Sequence, residues 1–599
     1  MVWVCLLACS QVTGSDKPSL GESFSQSSPV FTTTTTGGTS STTESDTGTQ
    51  ASTVDPTTSE TGDTGSVTPP DTGDSGLAGT TTGPTWTPPN FEVSVEPGAR
   101  VDCADPSRRE SVEYDRLELS PPSPLDEALP GSGVLVANLT GDATPEILFA
   151  GVGWIAAYGW DGEEWVDIVS TLMPEVEVGR ASTFSAADYD GDGDLDVFVG
   201  SGGPNQLLRN DEGVLVDVSA ESGLAGPEWF TVSGSWADFD RDGDLDLMVG
   251  NYGTGPEAGS VLLRPAHPSE LYRNQGDGTF VDISDQLPLE VQAGFVFMTG
   301  WVDLDRDGWP DLLSLHDFGW VRQQSHVVHN DRGRLSVDWA TAFHPNYAGM
   351  GLAIGDLDQD GGVEIAQTSA SDLSLRFAQP EPVAKVGWAW PIESASAYRL
   401  YVDVMDRGQR FGWGLDLADI DNDGDEDLPV VFGWWSEYPD MWVDQHDGLY
   451  LYDAAERSFE DRGAYWGVND TAAGRGLAVA DINGDGWPDL VKRQLGLAPN
   501  VVYTSRCGEA HWLRVQLRDD ATANRFGIGA RLELTAGDRR WTRWIHAGSR
   551  SMFAGTPPEA HIGLAESEAA ELTVVWPDGQ VSVLGEVTAD QVLTVRRMP

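Results

Sequence analysis

Asp188-Tyr189-Asp190-Gly191-Asp192-Gly193-Asp194-Leu195-Asp196, followed at once by Val197-Phe198-Val199-Gly200, decides how the rest of the chain is read. Acids stand at positions 1, 3, 5 and 9 of the stretch, and a glycine at position 6 allows a sharp turn. Alternate carboxylates of this kind converge on one centre, and a hard divalent cation such as calcium takes about six to eight oxygens at roughly 2.3–2.6 Å. The apolar residues at positions 2 and 10, Tyr189 and Val197, anchor both ends of the loop in a core. Its flanks are apolar runs of four to six residues, which suit strands and are too short for helices.

The stretch recurs. Further copies place Asp238, Asp240, Asp242 and Asp246, then Asp303, Asp305, Asp307 and Asp311, then Asp356, Asp358, Asp360 and Glu364 at the same four positions. Asp419, Asp421, Asp423 and Asp427 follow, and Asp481, Asn483, Asp485 and Asp489 close the series. A weaker copy with two formal charges, Asn138, Thr140, Asp142 and Glu146, precedes them all. The fifth positions fall at 142, 192, 242, 307, 360, 423 and 485, intervals of 50 to 65 residues that each suit a four-stranded blade. The expected fold is therefore all-β: a seven-bladed β-propeller over 91–506, followed by a small β-rich domain at 507–599. Up to seven calcium ions are expected as cofactors, which would move the net charge from −60 to −46. An EF-hand needs a position-12 glutamate and flanking helices, whereas position 12 is Val199 or Val249 inside strand-like runs.

A second echo, Leu207-Leu208-Arg209-Asn210, Leu271-Tyr272-Arg273-Asn274 and Val328-His329-Asn330, reads as the hairpin joining outer strands. Trp309 and Trp487 recur inside the loops, where packing between blades is favoured over sugar stacking.

The chain holds 95 acidic against 35 basic side chains, which excludes nucleic acid or an anionic membrane held through basic contacts. Residues 10–90 are Ser, Thr, Gly, Pro and Asp with few large apolar side chains, so a disordered stalk is expected there. Residues 1–9 end in Leu6-Leu7-Ala8-Cys9, similar to a bacterial lipobox, though no basic residue precedes the apolar run. The expected localisation is the cell envelope, outer surface or medium, with membrane attachment only through a lipid on Cys9. Outside that signal the cysteines are Cys103 and Cys507, which flank the repeats. A ring closed by strands from both ends would bring them together, so a disulfide between them is expected.

The acidic loops resemble the FG-GAP and VCBS repeats of integrin-α-type propellers, whose loops join two strands of a blade and carry calcium. His511-Trp512-Leu513, Asn524-Arg525-Phe526-Gly527, Gly548-Ser549, Glu559-Ala560-His561-Ile562-Gly563 and Trp576-Pro577-Asp578-Gly579 resemble the ASPIC/UnbV domain that follows such propellers. Ile562 stands where an aromatic residue is usual. The resemblance implies a β-rich module of unknown activity.

Export, a stalk and a rigid propeller together suit a monomeric adhesion or binding module for an extracellular protein or polysaccharide. The alternative is a secreted polysaccharide lyase or hydrolase with its site at the propeller's central mouth. Against it, the regularly spaced acids are committed as ion ligands, and no nucleophile or zinc-protease motif occurs. His546 and His561 are expected to be structural.

Overall fold

A computed structural model of the chain describes residues 91–101, 114–119, 131–253, 265–319, 323–338, 349–369, 373–376, 411–433, 445–454, 456–495 and 498–599. The expected export signal and stalk lie outside these residues, as does Cys103.

Each acidic loop joins two antiparallel strands in one register. The residue before position 1 pairs with the position-9 acid in every copy: Ala137 with Glu146, Ala187 with Asp196, Ala237 with Asp246, Val302 with Asp311, Gly355 with Glu364, Ala418 with Asp427 and Ala480 with Asp489. Position-2 and position-10 side chains are buried throughout, from Leu139 and Ile147 to Ile482 and Leu490. Both strands of each hairpin bury both faces, which explains why their sequences run apolar instead of alternating.

Seven strand pairs of this kind follow one another among the described residues, five in sheets of their own and the first and third joined into a single ten-stranded sheet. Their first strands are Val134–Ala137, Ala181–Ala187, Thr231–Ala237, Val296–Val302, Leu352–Gly355, Gly412–Leu415 and Gly474–Ala480. Each touches the next, and Gly474–Ala480 touches Val134–Ala137, so the inner strands form a ring. The last sheet is completed from the other end of the chain: Tyr114–Leu119 pairs antiparallel with Asn500–Ser505. Closing the ring in this way satisfies an edge that would otherwise present bare N–H and C=O groups. Cys507, just past that closing sheet, is disulfide-bonded.

The C-terminal domain consists of two four-stranded sheets. One has the order Arg539–Trp544, Arg531–Ala536, Ala569–Val575, Val581–Thr588. The other contains Gln591–Met598, His511–Asp519 and Glu559–Ala565, and its remaining strand is Glu92–Pro97, which the sequence had placed with the propeller.

From this domain a hairpin, Ala547–Ser551 with Ala554–Gly555, enters the ring. It pairs antiparallel with Thr231–Ala237 and parallel with Val134–Ala137. The Val134 N–H donates to Phe553 O (2.9 Å), and the Leu415 N–H donates to Ser551 Oγ (3.0 Å). With the Ser551 bond counted, the hairpin reaches the first strand of every sheet, so it lies on the ring's axis. Met552 and Phe553 at its tip are fully buried.

Candidate metal centres

The loops share a hydrogen-bond plan that follows from their turn. The position-6 glycines, Gly193, Gly243, Gly308, Gly361, Gly424 and Gly486, all adopt positive φ. That conformation turns their N–H groups onto the position-1 carboxylate: Gly243 onto Asp238 (3.1 Å), Gly308 onto Asp303 (3.0 Å), Gly361 onto Asp356 (3.0 Å) and Gly424 onto Asp419 (2.9 Å). Where the position-9 acid is an aspartate, as in five of the loops, it accepts the N–H of position 2 with one oxygen and a backbone N–H of the third strand with the other. Asp246, for example, takes Phe239 (3.2 Å) and Asn274 (2.9 Å). That acid ties the loop to its sheet whatever else it does.

The remaining oxygens distinguish the loops. Asp238 Oδ1, Asp240 Oδ1, Asp303 Oδ1, Asp356 Oδ2, Asp358 Oδ1 and Asp419 Oδ1 are buried without a hydrogen-bond partner. A buried carboxylate oxygen left unpaired is costly, and a bound cation is the chemistry that satisfies it. Asp188, Asp190 and Asp192 bring oxygens within 4.8 Å of one another, as do Asp238, Asp240 and Asp246, then Asp303, Asp305 and Asp311, and Asp356, Asp358 and Asp360. At that separation two charges repel by about 3 kcal/mol at an effective dielectric of about 20. Burial first, and then the neighbouring carboxylates, push Asp188, Asp238 and Asp303 up to about 7. Burial outweighs the nearby Arg543 guanidinium at Asp356 and raises it to about 7 as well. Asp419 and Asp427, buried among the acids of their loop, lie well above the usual range. Several of these clusters have the donors and spacing to hold metal ions.

Two of the seven expected cages look different. In the first, Ala143 replaces the glycine, Glu146 accepts from Leu139 N (2.7 Å) and Thr140 Oγ1 (2.7 Å), and Asn138 Nδ2 donates to the Asp142 carbonyl (2.6 Å). Its polar atoms satisfy one another. In the seventh, Asp481 Oδ1 accepts from Gly484 and Asp485, and Oδ2 accepts from Gly486 N (2.9 Å) and Arg514 Nη1 (2.9 Å). A guanidinium already lies beside that carboxylate.

Three features escaped the sequence. The asparagine of the second echo is a staple between blades: Asn210, Asn274 and Asn330 donate Nδ2 to Leu139 O, Tyr189 O and Phe239 O of the preceding loop (2.8–2.9 Å). Position 4 is left-handed, and in three of the four loops where it is not glycine its side chain reaches the next loop's glycine carbonyl: Arg306 to Gly361, Gln359 to Gly424 (3.0 Å) and Asn422 to Gly486 (3.0 Å). A long donor at a position that favours glycine was the available signal. Thirdly, His329 brings Nδ1 to 3.0 Å from Asp311 and 3.5 Å from Asp305, and its hydrogen bond to Asp311 lifts it to about 9. It occupies the place that Arg209 and Arg273 hold in the neighbouring repeats.

Trp487 is buried and Trp309 lies under Arg241, both packing contacts. His561 stacks on Trp512 and meets Asn422 Oδ1 at 2.6 Å; burial, with Arg514 and Arg543 nearby, drives it down to about 3.

These loops, sheets and C-terminal domain define a β-propeller of the FG-GAP type. The FG-GAP-like repeat model matches residues 138–199, 188–249, 261–314 and 303–366, and the model "ASPIC and UnbV" matches 520–598, so the chain carries both. Among curated proteins it is similar to cartilage acidic protein 1 of Xenopus tropicalis, 24% identical over 490 residues, and of Homo sapiens, 24% over 496. Each alignment covers 75% of this chain and 61% or 60% of the relative, so the chain spans about three-fifths of their length. Among solved structures, the Bacillus licheniformis rhamnogalacturonan lyase PL11 aligns with 14% identity and a TM-score of 0.35, over 66% of this chain and 76% of its own.

Proposed function

We propose that this protein is a calcium-loaded binding module that presents a rigid propeller surface to an extracellular protein or polysaccharide. The observation that carries the calcium reading is the set of buried, unpartnered carboxylate oxygens on Asp238, Asp303, Asp356 and Asp419. Apart from His329 beside Asp305 and Asp307, the clustered donors are carboxylate oxygens, and such a set with flexible loop geometry suits calcium better than a soft or small cation. The first and seventh loops are the weakest sites, because the first carries only two formal charges and a guanidinium, Arg514, already lies beside Asp481 in the seventh. Binding is favoured over catalysis because the hairpin tip occupies the ring's axis, where a propeller enzyme would keep an open mouth. The disulfide at Cys507 suits an oxidising compartment outside the cell, consistent with export and a lipid on Cys9.

Titration calorimetry with calcium tests the ion reading, with at least four bound ions per chain expected and none overturning it. A glycan array paired with a turnover assay on the same polysaccharides tests the class: retention without product supports a binding module, and product formation restores the lyase or hydrolase alternative.

A further inference from the structure

The C-terminal domain sits on the acidic loops, and it does so in part through residues by which its own motif is recognised, Asn524, Arg525 and Gly563. Arg525 Nε donates to Gly191 O of the second loop (2.9 Å), and the Asn524 N–H donates to Gly243 O of the third (3.1 Å). At the sixth loop the Gly563 N–H donates to Asp419 Oδ2 (2.9 Å), Arg539 to Asp423 O (2.7 Å), and the Ala565 N–H to Asn422 O (3.0 Å). At the seventh, Arg514 meets both Asp481 Oδ2 and Asp481 O. The approach is close enough to need glycine on both sides. A Cβ on Gly563 would lie 2.2 Å from Asp419 Oδ2, one on Gly424 would meet Trp541 Nε1 at 2.7 Å, and one on Gly486 would fall within the Trp512 ring.

Most of these contacts end on backbone carbonyls of the loops or on one oxygen of a position-1 carboxylate. They therefore depend on loop shape more than on loop charge. Asp419 illustrates the division of labour: one oxygen holds Gly424 and Gly563, and the other is buried and unpartnered. A cation on the free oxygen fixes the same side chain that seats the C-terminal domain. Side chains at position 4 link the fourth, fifth, sixth and seventh loops in succession, so a change of shape at one loop reaches the next.

We propose that the C-terminal domain is held in place by the metal-loaded loops, so that ion occupancy controls whether its Met552-Phe553 hairpin stays inserted in the propeller ring. The proposal rests on the calcium reading above and adds a consequence to it: the ions gate the axis of the ring. Withdrawing them leaves crowded acids that separate, moves the carbonyls and Asp419 away from their donors, and frees the hairpin before the blades themselves open.

Hydrogen exchange on the full chain, in calcium and after chelation, with bound calcium counted in the same samples, tests this. The expected result is exchange at residues 547–555 and 561–565 at least about ten-fold faster after chelation, with peptides from Arg531–Ala536 and Ala569–Val575 changing less than about two-fold. Unchanged exchange at 547–555 in samples shown to have lost their ions overturns the gating and leaves the calcium reading standing. A uniform rise across all peptides also overturns it, since the ions then hold the whole fold. Finding no bound calcium before chelation overturns both.

Discussion

Asp419 commits one oxygen to the Gly424 and Gly563 N–H groups and leaves the other buried and unpaired, whereas Asp142 turns its Oδ1 toward Thr144 in an exposed loop. That difference at single atoms sets two expectations. Asp419→Asn should lower the calorimetric calcium count by one, while Asp142→Asn should leave it unchanged; equal effects would mean that the unpaired oxygens do not mark the occupied sites. Asn274 makes a separate case, because its amide satisfies the buried carbonyls Tyr189 O (2.8 Å) and Leu245 O (3.2 Å) in two different blades. Asn274→Ala leaves both without that donor, at about 1–3 kcal/mol for each buried group. Denaturant unfolding should therefore show a loss of about 2–6 kcal/mol, and a loss below about 1 kcal/mol would deny the staple its role. The acidic loop positions were legible in the sequence because their spacing is local. The asparagine's partners lie 71, 85 and 91 residues away, so the sequence showed a recurring Asn and no reason for it.

At the scale of the loop, pH and metal act in opposite directions. Asp238, Asp303 and Asp356 are raised to about 7 in the folded chain, by burial first. A carboxylate raised on folding binds more protons in the native state, so its contribution is complete below the ordinary value near about 3.9 and is lost as pH climbs through about 7. The chelated protein should melt at a lower temperature at pH 8 than at pH 5. Calcium displaces those protons, so its stabilisation grows over the same interval. The gap between melting temperatures in calcium and in chelator should widen from pH 5 to pH 8, as scanning calorimetry would record; a gap that narrows would contradict the assignment of these acids as ligands. The hairpin at Ala547–Gly555 shows where local reading stops. Its strands span five and two residues and are stabilised by inner strands far away in the chain, so neither alternation nor length announced it.

For the molecule as a whole, the chain's early segments complete two separate sheets. Tyr114–Leu119 closes the propeller against Asn500–Ser505, and Glu92–Pro97 borders the C-terminal domain against Gln591–Met598. The sequence raised the expectation of a ring closed by strands from both ends, but strand exchange between the domains depends on partners about 500 residues apart and left no local mark. A chain starting after residue 120 loses the buried Tyr114 and Leu119, each contributing about 1.5–3 kcal/mol, and bares two strand edges. Its melting temperature should fall, and size-exclusion chromatography should show self-association; a monomer with unchanged melting would show that these edge strands are dispensable.

The antiparallel pairing of Glu92–Pro97 with Gln591–Met598 also determines how the protein bears a mechanical load. A pull on the chain ahead of Phe91, along the strand, reaches the body through six paired residues, from Glu92 with Met598 to Pro97 with Leu593. Those pairs are strained together in shear, the direction in which a strand resists most because its hydrogen bonds must break at once instead of one by one. The Arg596–Glu96 ion pair (3.5 Å) and the Arg597 guanidinium over the Phe91 ring (4.8 Å) brace the same short segment. Any load applied ahead of Phe91 is thus received first by the C-terminal domain, and the propeller blades are shielded from it until that clamp gives way.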